Sequence, residues 1–146
     1  MKPLLIVLTI LASVFAQPTF ATNRDVTPVV LKSFQTKFAS AKEVTWTSSE
    51  SLFKAHFELN GQAVTAFYSI EGNLLAVSRH ITSHQLPLSL QTSLRKGHEG
   101  AWISELFELN SEEGITYYAT LETADCKVVL KSNGQSWTAY NKNKKD

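Results

Sequence analysis

The chain has one cysteine, Cys126, in 146 residues. A single thiol cannot close an intramolecular disulfide, so any exported form must be held by its apolar core alone. Charge of one sign is also missing: 14 basic residues face 13 acidic ones. That balance argues against nucleic acid, which needs a concentrated basic face. Only one long apolar run occurs, Leu4 to Ala12, and it lies at the start. No G-x-S-x-G elbow, H-E-x-x-H, paired-cysteine zinc spacing or phosphate loop is present, which lowers the case for catalysis.

The apolar run follows Met1 and Lys2 and precedes small residues, the pattern of a secretory signal. It is too short for a membrane span. Val14-Phe15-Ala16 and Thr19-Phe20-Ala21 both fit a cleavage triplet, and the second is favoured. The expected organisation is a signal peptide over 1–21 and a single domain over 22–146 of near-zero charge. With no second apolar span, no membrane crossing is expected after signal removal, and the protein should be periplasmic or secreted.

What the chain does have is an internal echo. At an offset of 64, Phe53, Ala55, Phe57, Glu58, Val64 and Ala66 fall on Tyr117, Ala119, Leu121, Glu122, Val128 and Leu130. Upstream the best offset is 59, pairing Pro28 with Pro87 and Leu31 with Leu90; downstream it is 62, pairing Gly72 with Gly134.

Thr27-Pro28 predicts a helix start, with a capping hydroxyl and a proline at the first helical position. Val30, Leu31, Phe34 and Phe38 then recur at helical spacing. Leu86-Pro87 predicts a second start, with Leu86, Leu90 and Leu94 as its stripe and Gly97 as its stop. Strands follow each helix: Glu43–Thr47, Leu52–Leu59, Gln62–Tyr68 and Leu74–Ile81, then Trp102–Leu109, Ile115–Glu122, Cys126–Lys131 and Trp137–Tyr140. Asn141 onward reads as a frayed polar end. Asn60-Gly61 is a two-residue hairpin turn, because both positions favour positive φ. It sets Phe57 opposite Val64, Ala55 opposite Ala66 and Phe53 opposite Tyr68 on one apolar face. The expected fold is α+β, a tandem repeat of a helix plus a four-stranded antiparallel sheet, over about 26–82 and 84–141.

The other face of the first hairpin carries Lys54, His56, Glu58, Thr65 and Phe67. Tyr118 and Thr120 hold the same parity in the second. Phe67 and Tyr118 are expected to be exposed aromatics, a signal of an interface. On that reading Phe67→Ala and Tyr118→Ala should leave stability nearly intact. The candidate binding residues are therefore His56, Thr65, Phe67, Tyr118 and Thr120. His80 and His84 form His-x-x-x-His, but across a strand end and a loop, where a zinc site would still need further ligands. His98 or Glu99 could supply one only if the second helix folds back. No cofactor and no metal site are expected. Trp46 reads as core; Trp102 and Trp137 fit either core or interface.

Thr27-Pro28…Phe34…Phe38, Ala41-Lys42-Glu43-Val44-Thr45-Trp46, Ala66-Phe67-Tyr68, Glu71-Gly72-Asn73-Leu74, Leu86-Pro87 and Gly114-Ile115-Thr116-Tyr117-Tyr118 together resemble the PepSY-like, β-lactamase-inhibitor-like family exported by Bacteroidetes. Ala39 and Ser69 depart from that pattern, where family members more often carry Pro and Asp. The resemblance implies a fold similar to the β-lactamase inhibitor protein; it does not imply inhibition of a β-lactamase. The function expected is a non-enzymatic binding protein that holds, or inhibits, an unknown protein or peptide through its open sheet faces. The alternative is an envelope ligand- or metal-sensing module.

Overall fold

The computed structural model describes residues 25–144. The expected signal peptide lies outside the described residues. The elements run α1 (Pro28–Lys37), β1 (Lys42–Ser48), β2 (Leu52–Leu59), β3 (Gln62–Ser69), β4 (Leu74–His80), a 3-10 turn (Ser83–Gln85), α2 (Leu88–Gly97), β5 (Trp102–Ser111), β6 (Gly114–Glu122), β7 (Cys126–Ser132) and β8 (Thr138–Lys144). Among the described residues two α-helices and eight strands make the fold mostly sheet, as the α+β reading expects. It divides into two compact units between Val77 and Ser78, inside β4, ahead of the joint near 82–84 suggested by the sequence pattern.

In the first unit, β2 and β3 pair antiparallel around Asn60 (φ +53°) and Gly61 (φ +77°). The register is the expected one: Phe57 faces Val64, Ala55 faces Ala66 and Phe53 faces Tyr68. These six side chains pack with Val30 and Phe34 of α1 into a core rich in aromatic rings. Phe34 touches Phe57 (5.0 Å between centroids), Phe38 (5.4 Å) and Trp46 (5.2 Å), so Trp46 belongs to this core. Pro28 opens α1 as expected, but Thr27 does not cap it through its hydroxyl. The Thr27 Oγ1 is buried without a hydrogen-bond partner.

In the second unit, Leu90 and Leu94 of α2 pack with Leu106, Ala119, Leu121 and Leu130. This core is aliphatic. Tyr117 and Trp137 are its aromatic neighbours, and the Trp137 indole N–H donates to the Leu90 carbonyl at 3.0 Å. Trp102, by contrast, is 52 % exposed. Arg79 at the end of β4 pairs with Glu108 on β5. The expected frayed end is corrected: β8 runs on to Lys144, because β7 offers a free strand edge as far as Cys126, which pairs with Lys144.

Six consecutive cross-strand pairs of β2–β3 recur in β6–β7 at the same offset. Phe53–Tyr68 matches Tyr117–Ser132, Lys54–Phe67 matches Tyr118–Lys131, Ala55–Ala66 matches Ala119–Leu130, and His56–Thr65 matches Thr120–Val129. Phe57–Val64 and Glu58–Ala63 match Leu121–Val128 and Glu122–Lys127. The helix offset needs correcting. α2 starts at Leu88, not at Pro87, and Pro87 stands at the N-cap position that Thr27 holds in α1. Buried Val30 and Phe34 correspond to buried Leu90 and Leu94, an offset of 60. Gly97 is the last helical residue; the chain leaves α2 at His98, as it leaves α1 at Phe38.

Candidate functional site

Strand alternation gives each unit one face against its helix and one face away from it. The candidate binding residues all lie on the faces away from the helices. His56, Thr65 and Phe67 stand together in the first unit; Tyr118 and Thr120 belong to the second.

His56 sits at the middle of a polar ladder. Its Nδ1 lies 3.0 Å from the Thr65 hydroxyl on β3, and its Nε2 lies 3.4 Å from the Thr47 hydroxyl on β1. Thr45 and Thr65 are its neighbours in strand register, and the threonine at 47 reaches back from beside Lys54. The ring is half-buried, and its pKa falls below the ordinary histidine value through that burial, with the nearby Lys54 charge adding to the effect. His56 is therefore neutral near pH 7, donating from one ring nitrogen and accepting at the other. The arrangement holds the ring between two hydroxyls; among the described residues no carboxylate is hydrogen-bonded to it.

The expectation that Phe67 and Tyr118 are exposed is corrected: each is 2 % exposed. Thr120 is buried as well. Each ring has a lysine as its direct cross-strand partner. Lys54 faces Phe67 directly and places its Nζ 5.9 Å from the ring centroid. Lys131 faces Tyr118 directly and lies 5.9 Å from it. A lysine stem laid over a ring removes it from water while the ammonium stays at the surface. The two units thus carry the same aromatic–lysine pair with the residues exchanged between strands.

The second unit extends this pair into a row. Phe107 on β5 stacks on Tyr118 at 5.1 Å, and the His80 ring lies 6.4 Å from Phe107. A register break between Val129 and Leu130 leaves Tyr140 as an extra residue on β8. Its ring meets Tyr118 edge-on at 5.8 Å, with Lys131 6.0 Å above. Burial pushes the Tyr118 phenol well above its usual range, and neighbouring Tyr140 adds to the shift. Thr120 donates to Glu105 at 3.5 Å on the same face. Lys131 and Tyr140 are half-buried and His80 is exposed, so these three members of the row meet solvent. Sequence reasoning passed over Lys131 and Tyr140, although the offset of 64 carries Phe67 onto Lys131.

The histidines do not converge. Among the described residues no group of three His, Cys, Asp or Glu side chains could hold a metal ion. His84 lies in the 3-10 turn, and His98 caps α2. Cys126 is half-buried, with its Sγ 3.3 Å from the Thr123 hydroxyl at the turn before β7. A shallow groove of about 260 Å³ opens beside His98, with Leu94 and Leu121 at its floor and Arg95 and Glu99 on its rim.

No protein-family model matches the chain, and no curated protein sequence does. Solved structures do match. A BLIP-like protein from Bacteroides fragilis superposes with a TM-score of 0.70 at 13 % identity, over 84 % of this chain and 89 % of that one. A DUF2874 family protein from Bacteroides ovatus gives a TM-score of 0.73 at 12 % identity, over 84 % and 89 %. A protein from Bacteroides eggerthii, named for an inferred periplasmic location, gives 0.72 at 10 %, over 83 % and 90 %. At these identities the likeness is one of fold: the chain has the BLIP-like fold. Among the described residues no helix is long and apolar enough to cross a membrane.

Proposed function

We propose that this is an exported, non-enzymatic binding protein of the PepSY-like, β-lactamase-inhibitor-like kind, built as a tandem of two helix-plus-four-strand repeats. It holds a protein or peptide on the sheet faces turned away from its helices. The observation that carries the reading is the paired aromatic–lysine arrangement on those faces. A solvated sheet face needs no buried aromatic row, and rigid rings capped by cations form a preorganised surface with little entropy left to lose on binding. The six recurring cross-strand pairs support the tandem reading. The BLIP-like fold of the neighbours and the inferred location of one of them support binding and export.

The test is differential capture. The chain from Thr22, tagged at its C-terminus, is used as bait in envelope and culture-medium fractions of the producing cell. Beside it stand Thr65→Arg and Lys131→Glu, which alter the half-buried rim of each face and leave the cores untouched. A protein retained by the parent chain and lost from either variant supports the reading. Equal retention by all three folded baits overturns it.

A further inference from the structure

The groove beside His98 can be read against the same place in the first unit. The ends of the two helices correspond residue for residue at an offset of 60. The chain leaves α1 at Phe38, with the Ala41 N–H donating to the Phe38 carbonyl at 3.0 Å. It leaves α2 at His98, with the Ala101 N–H donating to the His98 carbonyl at 3.3 Å. In the first unit the Phe38 ring folds down onto Phe34 (5.4 Å) and Phe57 (4.9 Å) and closes the end of the core. In the second unit the three corresponding residues are His98, Leu94 and Leu121. Each of these three rings is replaced by a smaller side chain, and all three replacements line the groove. Buried Leu94 and Leu121 form its floor, and half-buried Ala101 and Ile103, the latter 41 % exposed, line it above them.

We infer that this groove is a receptor for one aromatic side chain presented by an extended segment of a partner protein. The occupant is set by the first unit, which seats a phenyl ring in the matching place using its own Phe38. The volume agrees: about 260 Å³ falls below the ~300–1,000 Å³ of pockets that enclose whole small molecules. The rim agrees too. Arg95 offers guanidinium donors to the carbonyls of a passing main chain, and Glu99 accepts from its N–H groups. The site lies on the helix side of the second unit, so it does not rest on the sheet-face reading and can stand or fall without it.

The experiment is a titration of the 15N-labelled protein with Ac-Gly-Phe-Gly-NH2, and with Ac-Gly-Ala-Gly-NH2 as the control. The phenylalanine peptide should give saturable amide shifts at Leu94, Ala101, Ile103 and Leu121, with at least ~10-fold weaker binding for the alanine peptide. His98→Phe places the first unit's own ring in the groove; it should raise the melting temperature by a few degrees and abolish the shifts. Leu121→Phe fills the same space from the floor and serves if the first variant fails to fold. The inference is overturned if the two peptides bind alike, if neither gives saturable shifts, or if binding survives in a folded filled variant.

Discussion

Phe67 and Tyr118 lie on the faces away from the helices, yet water reaches almost none of either ring. Alternation along a strand tells which face a side chain takes; it does not tell what lies over it. Here a directly opposed lysine lies over each ring, and in the second unit two further rings join it. Removing either ring therefore opens a cavity. Phe67→Ala and Tyr118→Ala should each lower stability by about 3 kcal/mol, read as a shift in the urea midpoint. A loss below about 1 kcal/mol would restore the exposed-aromatic reading. His56 gives a second prediction. Its folded pKa is depressed by burial and by Lys54, so the unfolded chain takes up a proton first as pH falls. The stability His56 contributes is complete above the unfolded value of about 6.5 and is lost as pH drops through the lower folded value. Between about pH 7.5 and about pH 5 the urea midpoint of the parent should fall more than that of His56→Gln. Parallel curves would show that His56 is not coupled to folding.

At the scale of elements, the β2–β3 hairpin was legible because turn chemistry and alternation agree. Alternation puts Phe53, Ala55 and Phe57 on a common face, and the two-residue Asn-Gly turn, with positive φ at both positions, then sets them opposite Tyr68, Ala66 and Val64. The helix ends were less legible. The Leu86-Pro87 pair looks like Thr27-Pro28, but the burial of Leu90 and Leu94 rotates α2 so that Pro87 becomes the cap; a one-residue shift costs a helix little until its apolar stripe has a sheet to meet. The reach of β8 was illegible for another reason, since Asn and Lys are poor strand formers and here follow their partner's edge. Turn glycines allow a quantitative comparison. Gly61 (φ +77°) has open space where a Cβ would go, whereas at Gly72 (φ +91°) a Cβ would meet Val29 Cγ2 at 3.1 Å and the Val29 carbonyl at 3.2 Å. Gly61→Ala should cost about 1 kcal/mol through backbone strain alone. Gly72→Ala should cost clearly more, because it also pushes against the first turn of α1. Thermal melts of the two variants order them directly, and equal costs would refute the contact with α1.

At the scale of the whole molecule, two cores of different chemistry are built on one strand register. The first is held by Phe34, Phe53, Phe57 and Tyr68, the second by Leu90, Leu94, Leu106 and Leu121. Aromatic rings in the first unit occupy space that leucines leave open in the second. That difference is visible in the sequence once the helix offset is set at 60, and it is what separates a closed core end from a groove. The same architecture fixes where the chain should resist opening. Strands β2, β3, β6 and β7 have a hydrogen-bonded neighbour on each side, while β1 and β8 have one. Amides in doubly flanked strands can exchange only when the ladders on both sides open, which ties them to the most stable cooperative unit available. Native-state hydrogen exchange should therefore find two sets of slow amides, one at Ala55, Phe57, Val64 and Ala66 and one at Ala119, Leu121, Val128 and Leu130. The outward amides of β8 should exchange fastest among the strands. Because the second core lacks the ring that closes the first, its slow set should be the less protected, and His98→Phe should narrow the gap. Equal protection in the two sets, unchanged by that substitution, would show that the missing ring carries no stability and that the groove is a surface feature alone.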